Sequence, residues 1–236
     1  MIISFVSAKG GVSKSTLAGH LVGWLAMHQA KVVLVDCDTQ ASCSEWIAEA
    51  CPEVRTKRFL DADAILNGLP GLSAEAEFIV ADCPGNQGEI GRALLMWADL
   101  AIIPCKASAF EARALEKNLA YVSQAQAIRK GKPDAVVVLS MVRNGYRLTR
   151  DMRSAAEETG VRVAQSTIGL RQVIADAPGQ ASFVWRMGSR AQSAAEDMDR
   201  LFNEIVLPYL GTDSPEATLV ERCVINKRKT QLQVSK

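Results

Sequence analysis

Three short stretches hold most of the side chains able to do chemistry. Ser7-Ala-Lys-Gly-Gly-Val-Ser-Lys-Ser-Thr16 follows the apolar run Ile2–Ser7 and opens a helical pattern over Ser15–Met27. Unpaired amides at a helix start, together with the helix dipole, attract anions. A glycine-bearing loop that ends in a lysine and a hydroxyl adds the specific parts of a phosphate site. There the Lys14 ammonium reaches β- and γ-phosphates and the Ser15 hydroxyl ligates Mg²⁺. The other two stretches are acidic: Asp36-Cys-Asp38-Thr-Gln after Val32–Asp36, and Asp82-Cys-Pro-Gly85 after Phe78–Asp82. Lys-Gly-Gly before a helix also fits an ordinary turn. The phosphate reading rests on a coincidence, in which three separate strands deliver a glycine loop, an acidic pair and a further aspartate.

Those residues meet only if the strands are parallel neighbours in one sheet. Ile2–Ser7, Val32–Asp36, Phe78–Asp82, Leu100–Pro104 and Val136–Met141 are continuous apolar runs without alternation, as strands covered on both faces require. Between them, Ser15–Met27, Ala41–Ala50, Gly88–Trp97, Phe110–Arg129 and Thr149–Thr159 read as helices, followed by a weak strand at Val161–Ala164 and a closing helix at Ala191–Val206. The succession predicts an α/β fold: a doubly wound, mainly parallel sheet flanked by helices, in the manner of P-loop NTPases. In such sheets ligands bind beyond the carboxyl ends of the strands, where all three stretches fall. Residues 1–211 are expected to form this domain, and 212–236 a polar, basic and flexible tail.

Composition bounds the rest. A chain of 236 residues suits one α/β domain. Net charge is +1, but residues 1–127 hold 10 basic against 14 acidic residues, and 128–236 hold 17 against 12. The carboxyl half is therefore the part that could attract a polyanion, although scattered surface charge gives the same count. Cys37, Cys43, Cys51, Cys83, Cys105 and Cys223 form no C-x-x-C pair, and His20 and His28 share one helical pattern. Reduced thiols in an intracellular setting are expected, with no metal cage. The opening Met-Ile-Ile-Ser-Phe-Val has no basic flank and reads as a strand rather than a signal peptide. No apolar run is long enough to span a membrane.

The loop departs from the common G-x-x-x-x-G-K-[ST] pattern, with Ala8 and Ser13 at its outer glycine positions and Lys9-Gly10-Gly11 inside. It resembles the deviant K-G-G-x-G-K-[ST] loop of ParA-type ATPases, which position plasmids, chromosome origins and compartments such as carboxysomes (the McdA proteins). Asp36-x-Asp38-x-Gln40-x-Ser42, with Thr39 where the family has proline, and Ile168-Gly-Leu-Arg171…Ala177-Pro-Gly179 are similar too. The resemblance runs from Met1 to about Leu210. It implies ATP and Mg²⁺ as ligands, held by Lys9, Gly10, Gly11, Val12, Ser13, Lys14, Ser15, Thr16 and Asp82, with Ser15 and Asp82 on the metal side. Lys9 would reach across a dimer to the partner's phosphates, Asp38 would orient the attacking water, and Gly85 would free a second switch. Arg143 falls where the family contacts adenine. Asp36 could equally be a strand-end or helix-cap residue. Ser13 is the real departure, because a Cβ there strains a loop usually freed by glycine.

The same resemblance implies an ATP-bound homodimer, non-specific DNA as a partner, an adaptor of the ParB or McdB kind, and a cytoplasmic, nucleoid-associated location with no membrane. The candidate DNA contacts are Arg147, Arg150, Arg153, Arg171, Arg186 and Arg190, although an arginine-rich helix face making surface ion pairs reads the same way. A MinD-like membrane cycle through the tail Leu219-Val-Glu-Arg-Cys-Val-Ile-Asn-Lys-Arg-Lys, which lacks a sustained apolar stripe, is the alternative. A metabolic ligase on this fold is a third. No Ser/His/Asp set or second substrate site accompanies the loop, which favours a switch.

Overall fold

The computed structural model describes residues 1–85, 88–106, 108–143 and 145–209. The tail expected at 212–236 lies outside them, as does Cys223.

Among the described residues, seven strands and eight α-helices follow one another, alternating as far as the first helix after the last strand. The strands are β1 (Ile2–Phe5), β2 (Val32–Asp36), β3 (Arg55–Arg58), β4 (Phe78–Asp82), β5 (Leu100–Lys106), β6 (Asp134–Ser140) and β7 (Arg162–Val163). The helices are α1 (Lys14–Met27), α2 (Ser42–Ala50), α3 (Ala62–Leu72), α4 (Gly88–Leu95), α5 (Ala109–Ile128), α6 (Arg147–Glu157), α7 (Gln172–Gly179) and α8 (Gln192–Val206). All strands pair in parallel, in the order β3-β2-β4-β1-β5-β6-β7.

The apolar runs form central strands because both faces of the sheet are covered. Phe5, Leu34, Phe78, Ile102 and Val138 point into one core with Leu17, Leu21 and Trp24 of α1, Ile47 of α2 and Leu201 and Phe202 of α8. Val33, Val35, Ile79, Ala81 and Ile103 point into the other, with Ile65 and Leu69 of α3, Leu94 of α4, Val122 of α5 and Met152 of α6. Burying one such large side chain is worth about 1.5–3 kcal/mol. Two filled faces therefore fix the register, since a one-residue slip would exchange the cores. Helix α1 is buried from Leu17 to Leu25, which anchors the loop preceding it.

The doubly wound parallel sheet and its five central strands agree with the sequence reading. Three elements were not anticipated. β3, Arg-Thr-Lys-Arg, is a solvated edge strand without the apolar signature. α3 contains Pro70, and its start is set by Asp61, whose carboxylate accepts the Ala64 amide at 2.7 Å. α7 is eight residues long and carries Pro178.

Candidate functional site

The chain order reverses around β1, which lies between β4 and β5. The segment leaving β1, residues 6–13, therefore sits over the crevice at the carboxyl edge of the sheet, as the switch-point rule requires. Its carboxyl end enters α1 through Ser13, at φ 71° and ψ 23°, whose hydroxyl does not cap the helix. The first-turn amides of α1 are thus left without a side-chain partner of their own, and the dipole adds positive potential there. A left-handed backbone at a residue with a Cβ is strained by roughly 1–2 kcal/mol. The strain expected at Ser13 is present, and the loop keeps its turn in spite of it.

Each part of the loop is tied to a different element. The Ala8 amide donates to Asn118 Oδ1 of α5 at 2.6 Å, and the Lys9 amide to Ser7 Oγ at 3.2 Å. Ser140 Oγ, at the end of β6, donates to the Val12 carbonyl at 3.0 Å. Cys43 Sγ of α2 reaches the Ser15 carbonyl at 3.6 Å, and Thr16 gives its carbonyl to His20 Nδ1 at 2.7 Å. Lys14 is buried and donates its ammonium to the Lys9 carbonyl at 3.0 Å. Gly10 and Gly11 are exposed at the rim. Gly85 packs under that rim: a Cβ on it would lie 3.1 Å from Gly10 Cα. Glycine eases a tight approach there, beside the freedom expected of it.

The two acidic strand ends lie side by side, since Asp36 pairs in register with Asp82. They do different things. Asp36 Oδ1 accepts the Asp38 amide at 2.9 Å and Oδ2 the Ser44 amide at 2.8 Å, so Asp36 builds its own loop and caps the first turn of α2. Of the two readings of Asp36, the strand-end and cap role is the one its bonds fulfil. Asp38 is half-buried and accepts the Gln40 amide at 3.0 Å. Arg58 of β3 donates to the carbonyls of Asp38 and Thr39 at 3.0 and 3.2 Å.

Asp82 is only 1% exposed, yet among the described residues neither of its carboxylate oxygens has a hydrogen-bond partner. Its carboxyl is pushed up to about 7, chiefly by burial and also by the Asp36 and Asp38 charges, with the nearby Ser15 hydroxyl and the Lys14 ammonium pulling the other way. An ionised carboxylate left bare in a protein interior costs several kcal/mol. A divalent cation whose hydration shell satisfied those oxygens would remove that cost, so the residues present fit Mg²⁺. Burial also raises the Cys37, Cys43 and Cys83 thiols, which keeps them protonated beside the carboxylates. The five described cysteines are buried, and none of them is joined in a disulfide.

The arginines do not form one patch. Arg143 stays in its own loop, 3.2 Å from Tyr146 Oη. Arg147 is 86% exposed beside Asp151 at 3.6 Å, and Arg150 is exposed on the same helix, α6. Arg153 turns inward to the Gln165 carbonyl and Glu157. Arg171 is fixed by two bonds to the buried Asp197, which Arg200 also pairs. Arg186 donates to the Ala50 carbonyl and stacks on Phe183, and Arg190 binds Gln180. Asn118, Ser140 and Arg58 were not anticipated as site residues. Their positions depend on contacts between residues 20 to 128 apart in sequence, so no local pattern marks them.

A phosphate-type loop between a parallel sheet and a buried helix, flanked by two acidic strand ends, defines a P-loop-type nucleotide-binding domain. Residues 3–183 match the CobQ/CobB/MinD/ParA nucleotide binding domain, and the chain belongs to that family. It is 26% identical over 211 residues to Maintenance of carboxysome distribution protein A of Halothiobacillus neapolitanus, covering 86% of this chain and 95% of that protein. It is 24% identical over 168 residues to Protein ParA of Rhizobium radiobacter, covering 70% and 76%. Its fold matches apo McdA of Cyanothece with a TM-score of 0.71 at 17% identity, over 89% of this chain and 99% of that one. The ATP complex of a McdA variant from the same organism matches with a TM-score of 0.66 at 16% identity, over 84% and 96%.

Proposed function

We propose that this chain is a slow ATPase and ATP-gated dimer switch of the ParA type. Its task in this reading is to position or segregate a cargo (a plasmid, a chromosome origin or a protein compartment) by cycling on and off non-specific DNA. The observation that carries the reading is the buried Asp82 carboxylate, bare of hydrogen bonds beside the Lys14–Ser15 start of α1. Such a group suits a hydrated divalent ion and a phosphate chain far better than it suits an empty core. Family membership supports nucleotide as the ligand. The likeness to a carboxysome distribution protein over most of both chains supports cargo positioning.

Within the site, the α1 amides, the Gly10–Gly11 rim and the Lys14 ammonium hold the phosphates. Ser15 and Asp82 would hold Mg²⁺, which when bound draws charge off the phosphate oxygens. Asp38, kept in place by Asp36 and Arg58, orients the attacking water. Lys9 reaches the terminal phosphate of a second copy, so contact between the copies depends on which nucleotide is bound, as a switch needs. Arg143, Arg147 and Arg150 offer the exposed cations for DNA phosphates, with the adenine contact of Arg143 a further expectation. An adaptor of the ParB or McdB kind would set the turnover rate. The chain works in the cytoplasm on the nucleoid in this reading; among the described residues no helix is long and apolar enough to cross a membrane.

Phosphate release from ATP tests the enzyme. Slow release that EDTA abolishes and that Asp38→Ala loses is the expected result. No release above blank under single-turnover conditions would contradict it.

A further inference from the structure

Lys106 ends β5 beside the phosphate loop, and the reading above gives it no task. Because β1 lies between β4 and β5, the loop leaving β1 has Asp82 on one flank and Lys106 on the other. The ammonium leans over the rim: a Cβ on Gly11 would lie 3.7 Å from Lys106 Nζ. Gly11 itself is exposed and left-handed, at φ 71°, so a side chain there is disfavoured and the rim stays open to the Lys106 ammonium. Lys106 is half-buried, and no described carboxylate pairs with it. Its backbone is fixed, since Lys106 pairs with Ser140 in the sheet and its carbonyl accepts the Ser108 amide at 2.9 Å.

A partly desolvated ammonium with no counter-charge among the described residues at a ligand edge favours an anion. Lys14 and Lys106 meet the loop at different points, Lys14 at the Lys9 carbonyl and Lys106 across Gly11. An anion that met both cations would gain from carrying more than one charge, as a chain of phosphates does. We propose that Lys106 is a third phosphate-binding cation of this site, gripping a nucleoside polyphosphate from the β5 side across Gly11. The inference rests on the nucleotide reading of the loop and adds a residue that the loop motif does not contain.

The test is titration of wild type, Lys106→Gln and Lys106→Arg with Mg·ATP, following a fluorescent ATP analogue and its displacement. Loss of one charge-assisted contact should raise the Kd of Lys106→Gln about ten-fold. Lys106→Arg should remain within three-fold of wild type, and the thermal midpoint without nucleotide should not move. A purely structural lysine would shift that midpoint and leave the Kd ratio near one. Amine acetylation of the wild type followed by mass spectrometry needs no variant, and Mg·ATP should slow modification of Lys106 at least three-fold. Equal Kd for wild type and Lys106→Gln, or acetylation indifferent to Mg·ATP, overturns the role of Lys106 alone. A wild type that binds no nucleotide overturns the phosphate-site reading with it.

Discussion

The Lys14 ammonium donates to the Lys9 carbonyl at 3.0 Å, so the two lysines of the loop are linked although their tasks differ. Lys14 is buried and aimed inward, whereas Lys9 is half-buried near the rim. Replacing Lys14 removes a charged donor from the phosphates and also frees the Lys9 carbonyl. Lys14→Ala should weaken Mg·ATP binding at least ten-fold, about 2 kcal/mol or more, measured by calorimetric titration.

Ser13 offers a cleaner test of backbone strain. Glycine removes a left-handed penalty of roughly 1–2 kcal/mol but restores about 0.4–1 kcal/mol of unfolded-chain entropy. Ser13→Gly should therefore stabilise the nucleotide-free protein by about 0.5–1 kcal/mol, raising Tm by about 1–4 °C for a chain of this size. Ser13→Val, β-branched at the same φ, should lower it. Calorimetry reads both.

Asp82 makes stability depend on pH with a definite sign. Its ordinary carboxyl value is 3.8, and the folded protein raises it to about 7, chiefly through burial. Between those values the folded state keeps a proton that the unfolded chain has lost. Stability without nucleotide should thus fall as pH rises from about 4 to about 7, and level off above. Asp82→Asn should flatten that slope and gain on the order of 2 kcal/mol at pH 7.5. The same variant should lose magnesium-dependent phosphate release. Urea melts across pH give the comparison.

The arginines separate into two kinds. Arg147→Glu with Arg150→Glu should abolish low-salt DNA retention in a gel shift and leave ATP binding unchanged, because both side chains are exposed on α6. Arg171→Ala should act on the fold instead. Asp197 is 6% exposed, and losing two of its bonds should cost about 2 kcal/mol in a denaturant melt. Unchanged DNA retention after the α6 reversal would remove that surface from the account.

The sheet was legible because its central strands are contiguous apolar runs that need no partner to be recognised. Val32–Asp36 and Phe78–Asp82 end at the residues expected. β3 was not legible, since Arg-Thr-Lys-Arg has no buried face and is a strand only through its pairing with β2. In the site, the loop and the strand-end aspartates could be found because local order encodes them. Asn118 and Ser140 lie 110 and 128 residues from the loop atoms they hold. Arg58 holds Asp38 from 20 residues away, on the strand that the pattern missed. The arginine cluster shows the converse. Closeness in sequence counted Arg153 with Arg150, while the fold gives Arg153 to the Gln165 carbonyl.

The central claim is that two copies clamp Mg·ATP face to face, each giving Lys9 to the other's terminal phosphate. Light scattering on gel-filtered protein with a non-hydrolysable ATP analogue and Mg²⁺ measures it most directly. The wild type should double its mass with the analogue and revert with ADP, while Lys9→Ala should bind the analogue and remain a monomer. A wild type that stays monomeric when loaded, or a Lys9→Ala variant that dimerises as well as wild type, would contradict the account.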